Sequence, residues 1–203
     1  MPGTLRRLLV AATAASAVAF FVAGCSSSSD GTPMAAADSE TAVTSSSAPT
    51  TTRIVGQEGD DDGGRVSIDV AIGDCVKLGG TMTNAEIDKA DCGSADSNYK
   101  VVAKVPSNSQ CASDVDSYYY ETFGGNERGA VCLDVDWVIG GCVDLGFGST
   151  EPAHVDCGAS DTSNGVKVLD ILQNTSSIDD CGGESDSGFS YPERNFAVCA
   201  QTL

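Results

Sequence analysis

Two stretches of this sequence decide its fold: GDCVKLG at residues 73–79 and GGCVDLG at residues 140–146. The similarity continues outward from both stretches, because DCG occurs at residues 91–93 and again at residues 156–158. Self-similarity at a nearly fixed spacing indicates a duplicated structural unit. We therefore expect the chain to contain two copies of one structural unit.

The first 24 residues have the layout of a secretion signal. Arg6 and Arg7 form a basic start, an apolar run follows, and small residues lead to a cleavage point. The run ends in VAGC at residues 22–25, which resembles the bacterial lipobox, in which the cysteine is lipidated and becomes the first residue. We therefore predict a signal peptide over 1–24 and a membrane anchor on Cys25.

The other eight cysteines divide equally between a first repeat, residues 66–138, and a second repeat, residues 139–203. Outside the cytoplasm such cysteines form disulfides, and pairing within each repeat leaves three connectivities per repeat. We favour the pairing of consecutive cysteines, which closes loops of about 15 to 22 residues, each contributing about 3 kcal/mol. The favoured pairs are Cys75–Cys92, Cys111–Cys132, Cys142–Cys157 and Cys181–Cys199.

Hydrophobic alternation predicts mostly β-strands. Apolar residues alternate with polar ones over 66–72 and over 131–137, and β-branched residues fill 100–105 and 166–171. Tight turns are expected at 73–74 and 140–141. The fold class is thus mainly β, with a small α+β fold as the alternative, and consists of tandem disulfide-stapled units that contain at most one short helix each.

One segment of the first repeat permits two interpretations. Ser113 and Asp114 could cap a short helix that carries Val115, Tyr118 and Tyr119 on one face. The alternative is a strand with Tyr118 and Tyr120 on one face. We favour the helix.

Residues 25–65 contain the lipidated cysteine and a linker rich in Ser, Thr, Asp and Gly. Large apolar side chains are nearly absent, so we predict disorder. A plain spacer is favoured over an O-glycosylated stalk. The acidic run at 60–62 lacks the glutamate that a calcium-binding EF-hand loop requires, so a solvated acidic end to the linker is favoured.

The net charge of the chain argues against anionic partners. The chain has 11 basic and 29 acidic residues, a net charge of −18, and removal of Arg6 and Arg7 with the signal would leave −20. Such a surface repels nucleic acid and anionic lipid headgroups.

Catalytic motifs and cofactor sites are not recognisable. His154 is the single histidine, so zinc would lack ligands, and a surface loop is the favoured place for it. Neither a nucleophile elbow nor a phosphate-binding loop occurs. We expect no cofactor, no bound metal and no enzymatic activity.

The carboxylates offer a weak alternative. Asp134 and Asp136 would face one side of a strand, and Asp114 and Asp116 could join them at a divalent-cation site. A solvated acidic face is the favoured interpretation.

Aromatic residues offer the best candidate ligand surface, because amphipathic rings stack on sugars and on partner side chains. Core packing beneath a disulfide is nevertheless the favoured interpretation of these residues. The candidates are Tyr118, Tyr119, Tyr120 and Trp137, with Phe123 nearby.

These motifs together resemble the actinobacterial LppU-type lipoproteins. The lipobox, the linker, GDCV at 73–76, DC at 91–92 with YKV at 99–101, and CLD at 132–134 carry the resemblance over roughly residues 66–203. The GDC and DC elements are also similar to septum-formation domains of actinobacterial envelope proteins. The resemblance implies a small extracytoplasmic β-rich module and brings no catalytic residue. The second repeat departs from it, with Gly141 in place of Asp74.

The sequence thus predicts a lipid-anchored protein on the extracytoplasmic face of the cell membrane that binds an envelope protein or a cell-wall component. Two alternatives remain: an enzyme acting on envelope glycans through paired carboxylates, and a purely structural envelope protein.

Replacement of Cys25 by serine tests the anchor. The lipobox offers no other sulfur for lipidation, so we expect the parent chain in the detergent phase of a detergent-partitioned cell extract and the Cys25→Ser chain in the aqueous phase. A Cys25→Ser chain that still partitions into detergent would contradict the prediction.

Overall fold

The computed structural model describes residues 57–81, 83–146, 148 and 150–203. The predicted signal peptide, the lipidation site Cys25 and the linker up to residue 56 lie outside the described residues. Within the described part, no helix has the length and apolarity that a membrane crossing requires.

The first repeat forms a five-stranded antiparallel sheet with the order β2-β1-β3-β5-β4. Its strands are β1 (Cys75–Thr81), β2 (Asn84–Ala90), β3 (Tyr99–Val105), β4 (Ser117–Phe123) and β5 (Asn126–Val135). A single 3-10 turn, Asn108–Gln110, lies between β3 and β4.

The second repeat forms another five-stranded antiparallel sheet with the equivalent order β7-β6-β8-β10-β9. Its strands are β6 (Cys142–Asp144), β7 (Ala153–Val155), β8 (Gly165–Gln173), β9 (Ser187–Tyr191) and β10 (Phe196–Thr202). A 3-10 turn, Ile178–Asp180, again precedes the fourth strand. The prediction of a mainly β fold with two disulfide-stapled units is confirmed.

A hydrogen bond at the same place in both repeats shows how closely the copies correspond. The Asp116 carboxylate accepts a bond from the Val135 N–H at 2.8 Å, and the Asp186 carboxylate accepts one from the Thr202 N–H at 2.7 Å. Each aspartate lies five residues after the third cysteine of its repeat. In both copies this bond ties the loop before the fourth strand to the last strand.

The two sheets share one hydrophobic core. Strand alternation directs Val131, Leu133 and Val135 of β5 towards it, and the same periodicity directs alternate apolar residues of β10 towards it from the other repeat. Trp137 of the first repeat stacks on Phe189 of the second, with ring centroids 4.8 Å apart. The sheets therefore pack against each other through their apolar faces.

Four disulfides lie at the periphery of this core, at the pairs that we favour from the sequence: Cys75–Cys92, Cys111–Cys132, Cys142–Cys157 and Cys181–Cys199. In each repeat one bond closes the first hairpin and the other ties the loop before the fourth strand to the last strand. The predicted turns are also present, with Gly73 at φ 92° and Gly140 at φ 81°.

The predicted helix around Ser113–Tyr119 is wrong. Residues 117–123 form strand β4, in which Tyr118 pairs with Cys132 and Tyr120 with Ala130. Pairing with the long strand β5 outweighs the weak local preference for a helix. The alternative, with Tyr118 and Tyr120 on one face of a strand, is the one observed.

The predicted strand over 66–72 is also wrong, although its burial pattern is right. Val66, Ile68 and Val70 pack against the shared core, while the residues between them are exposed. Among the described residues, however, none pairs with this segment as a strand. The alternation reflects an extended segment lying over the core.

The folded body begins before the predicted boundary at residue 65. Residues 57–65 form an N-terminal strap along β3: the N–H of Gly59 donates to Val102 at 2.6 Å, and the N–H of Asp62 donates to Lys104 at 2.8 Å. β1 pairs with β3 only at Tyr99 and Lys100, so the strap covers the remaining edge of β3. The predicted disordered linker therefore ends earlier than we expected.

Removal of the strap tests this correction. Its four backbone hydrogen bonds to β3 and β5 and the buried Gln57 predict that a body beginning at Val66 is less stable by about 2 to 4 kcal/mol. Urea unfolding would compare it with a body beginning at Gln57. Equal midpoints for the two would show that the strap contributes nothing.

Candidate functional site

Among the described residues, the most exposed aromatic side chains lie on strand β4. Tyr118 is 49% exposed, Tyr120 is 45% exposed and Phe123 is 76% exposed. They are three of the six large apolar residues that are exposed in the described part of the chain. The two tyrosine rings are neighbours, with centroids 6.1 Å apart. We call these three residues the aromatic edge.

Strand register places Tyr118 and Tyr120 of the aromatic edge on the sheet face opposite the shared core. Tyr118 and Tyr120 lie across from Cys132 and Ala130, which belong to a separate small cluster. Tyr119 has the other orientation and packs against the shared core, and its hydroxyl is 3.3 Å from Glu121. Of the three consecutive tyrosines, two are therefore available to a ligand.

Trp137, a member of the candidate ligand surface, is not available to a ligand. It is 3% exposed, it stacks on Phe189, and its indole N–H donates to the Tyr191 hydroxyl at 2.9 Å. For this residue core packing, the interpretation favoured from the sequence, is correct.

The second repeat provides an internal comparison for the aromatic edge. Gly188 lies opposite Cys199 and Ser190 lies opposite Ala197, so these residues occupy the positions of Tyr118 and Tyr120. The same architecture therefore accepts glycine and serine at both places. The fold does not require two exposed tyrosines there.

The two edge strands of the first sheet differ in how well they are protected against pairing with another chain. Strand β2 presents Glu86, Asp88 and Lys89, and charged side chains on an edge discourage pairing with other chains. Strand β4 has neither lysine nor proline and presents the aromatic edge instead. An exposed edge of this kind promotes association unless it serves as a binding site.

A buried charged seam joins the two repeats. Arg194, from the turn between β9 and β10, reaches the first repeat: its Nε is 2.7 Å from Asp114 Oδ1 and its Nη1 is 2.6 Å from Asp134 Oδ2. The guanidinium also lies over the rings of Tyr191 and Phe196, at 5.1 and 5.2 Å from their centroids. These contacts, together with the pair described next, constitute the charged seam.

The second pair of the charged seam consists of His154 and Asp136. His154 Nε2 is 3.2 Å from Asp136 Oδ2, and that oxygen also accepts bonds from the Ser97 hydroxyl and the Gly93 N–H, both at 2.6 Å. The predicted surface loop for His154 is wrong, because the residue lies on β7 with a side chain that is 11% exposed.

Burial and partners set the pKa values of these carboxyl groups in opposite directions. Burial raises the pKa of Asp134 to about 6, even though Arg194 lowers it, and burial also raises the pKa of Asp116. Burial acts in the same sense on Asp136, but hydrogen bonds from His154 and Ser97 outweigh it, so the pKa of Asp136 is lowered.

The predicted solvated acidic face is therefore wrong, because Asp134 is 0% exposed and Asp136 is 1% exposed. The cation-site alternative does not fit either, since the Arg194 guanidinium already occupies the space between Asp114 and Asp134. Among the described residues, one group has metal-ligand spacing: Asp136 with Cys75 and Cys92. Its two sulfurs are joined in a disulfide and cannot act as thiolate ligands.

A cleft of about 560 Å³ opens beside the Cys75–Cys92 disulfide. Its charged lining residues are Asp74, Lys89, Asp91 and Asp96. Neither Asp134 nor Asp116, the two carboxyl groups with raised pKa values, lines it. The cleft is thus separate from these two carboxyl groups, although it is lined by Asp74, whose pKa is lowered by a hydrogen bond from the Ala71 N–H.

Sequence reasoning missed the charged seam. A usable signal was the charge of the second repeat, which contains only two basic residues, Lys167 and Arg194, among many acidic ones. An arginine among many acidic residues is expected to pair with carboxylates. Which carboxylates Arg194 reaches depends on the packing of the two sheets.

Comparison with family models, curated proteins and solved structures finds no significant match to this chain. The LppU-type resemblance stays a prediction.

The pH dependence of stability tests the charged seam. Because the pKa of Asp134 is raised from 3.8 to about 6, its contribution to the free energy of unfolding is fully present below pH 4 and is lost as the pH rises through 6. The amide that replaces this carboxyl group in the Asp134→Asn chain does not titrate. We therefore expect the stability of the parent chain relative to Asp134→Asn to fall by about 3 kcal/mol between pH 4 and pH 8.

Chemical denaturation at several pH values would measure this difference. A constant difference across the range would mean that Asp134 is ionised throughout and that Arg194 outweighs the effect of burial.

Proposed function

We propose that this protein is a lipid-anchored, extracytoplasmic binding module of the bacterial cell envelope. The aromatic edge of the first repeat is its binding surface, and an envelope protein or a cell-wall component is its partner. The protein performs no catalysis. The second repeat serves as structural support.

The comparison of the two repeats carries this proposal. Tyr118 and Tyr120 stand where the second repeat has Gly188 and Ser190, so their exposed rings serve something other than folding. Tyrosine supplies a large contact area with little loss of conformational entropy, and it is favoured in binding surfaces.

The compartment is supported by two independent features. The lipobox ending in Cys25 predicts a tether at the outer face of the membrane. Four disulfides in a body of this size are typical of proteins that fold in an oxidising compartment.

An enzyme is the second candidate, because Asp116 and Asp134 have raised pKa values, which often mark catalytic sites. Their contacts favour a structural role: Asp116 accepts bonds from Val135 and Tyr191, and Asp134 pairs with Arg194. A purely structural envelope protein would leave the aromatic edge without a purpose.

Crosslinking in cells tests the proposal. We expect the anchored parent chain to retain a discrete partner and the Tyr118→Ser/Tyr120→Ser chain to retain at least tenfold less, since removal of two aromatic anchors typically costs more than about 1.4 kcal/mol of binding free energy. The second repeat already has small residues at both positions, so the variant should fold normally.

A matched control removes two other exposed apolar residues, Ile139 and Ile178, which are 52% and 47% exposed. The Ile139→Ser/Ile178→Ser chain should keep the partner. Equal retention by the tyrosine variant and the parent would disprove the role of the aromatic edge.

A further inference from the structure

We propose that the free edge of β4 takes up an extended, positively charged polypeptide segment as a sixth strand of the first sheet. This inference rests on the proposed function and deepens it by naming the class of partner. It commits to a basic peptide segment in β-strand conformation rather than to a glycan, a lipid surface or a second copy of this chain.

The backbone of β4 is available for such pairing. Within the described part of the chain, β4 pairs with β5 alone and ends the sheet. The strand has seven residues, and its pairing with β5 is regular from Ser117 to Glu121. The backbone groups on its outer side have no strand partner there, and a row of such groups is a template for an added strand.

The other terminal strands are poorer templates. Strand β2 has charged residues along its length, and β7 has only three residues. Strand β9, the equivalent of β4 in the second repeat, is shorter and has Gly188 in its interior, and its two aromatic residues pack inward. The described edges therefore favour β4.

The side chains of β4 match the period of an added strand. Tyr118 and Tyr120 lie on one face at a spacing of two residues, so alternate side chains of a neighbouring strand would lie beside their rings. The Arg128 guanidinium carbon already lies 5.9 Å from the centroid of Phe123 at the end of this strand. Among the described residues, no cation lies over the ring of either tyrosine, so these two faces remain open to a cation from a partner.

The net charge of the body indicates which kind of molecule pairs with β4. The described residues contain 26 of the 29 acidic and 8 of the 11 basic residues, so the net charge of −18 lies entirely on the body. The field of such a body attracts a basic segment and repels both a second copy and anionic polymers or lipids. Burial raises the pKa of Glu121, but hydrogen bonds from Ser67 outweigh it, so the pKa is lowered and β4 itself carries a negative charge.

The probe is a synthetic ten-residue peptide of alternating lysine and threonine with blocked ends, titrated into the full-length mature chain carrying Cys25→Ser. We expect amide NMR shifts concentrated on residues 117–123, and weaker binding at high salt. The Tyr118→Ser/Tyr120→Ser chain should bind at least fivefold more weakly, and Ile139→Ser/Ile178→Ser should bind like the parent. A glutamate–threonine peptide should not bind.

Two N-methylated versions of the peptide test the added strand itself. In a strand, the N–H groups of alternate residues point to opposite edges, so methylation of every lysine amide or of every threonine amide blocks one edge at a time. We expect one version to lose at least tenfold in affinity and the other to keep it. Equal effects of the two versions, or absence of binding by the parent peptide, would overturn the inference.

The outcomes separate the two levels of the argument. Self-association through β4 in the absence of peptide would show that a second copy covers the edge, and would also overturn the inference. If the tyrosine variant loses its cellular partner but the peptides show no one-edge dependence, the proposed function stands and only the strand-addition inference fails. If that variant keeps its cellular partner, the proposed function itself fails.

Discussion

The shared core is the constraint on which the rest of this structure depends. A five-stranded sheet with one apolar face has to bury that face against another layer, and here each repeat supplies the layer that the other needs. The duplication is therefore a structural requirement as well as a sequence feature. Disulfides stabilise each sheet, but only the packing of Val131, Leu133 and their neighbours against the second repeat produces a core.

Apolar packing alone does not fix how two similar sheets align on each other. The charged seam fixes this alignment. Arg194 and His154 of the second repeat bind Asp134 and Asp136 of the first, at 2.6 and 3.2 Å. A buried charge left without its partner is costly, so alternative pairings of the repeats are disfavoured. In the proposed function, the second repeat supports the fold and the first presents the exposed tyrosines of β4.

Local patterns in the sequence predicted much of the fold because they reflect local physics. The repeat follows from cysteine spacing, and the disulfide pairs are the ones favoured among three connectivities per repeat. Hydrophobic alternation and runs of β-branched residues predicted strands β3, β5 and β8. The errors concern residues whose environment is set by distant partners. Asp134 has its charged partner 60 residues away, and Trp137 packs against a strand of the other repeat. The aromatic edge was predicted in part, since Tyr118 and Tyr120 are exposed, but only strand register shows that Tyr119 faces the core.

Native-state hydrogen exchange across both sheets tests most directly whether the repeats form one core. If each sheet depends on the other, the slowest amides of β5 and β10 should exchange with one common free energy, equal to that of global unfolding. Removal of the two Arg194 ion pairs of the charged seam by Arg194→Met should lower the free energy of opening of both strands together. Exchange of β10 at a clearly lower free energy, with β5 still protected, would show that the repeats fold independently and would contradict the account.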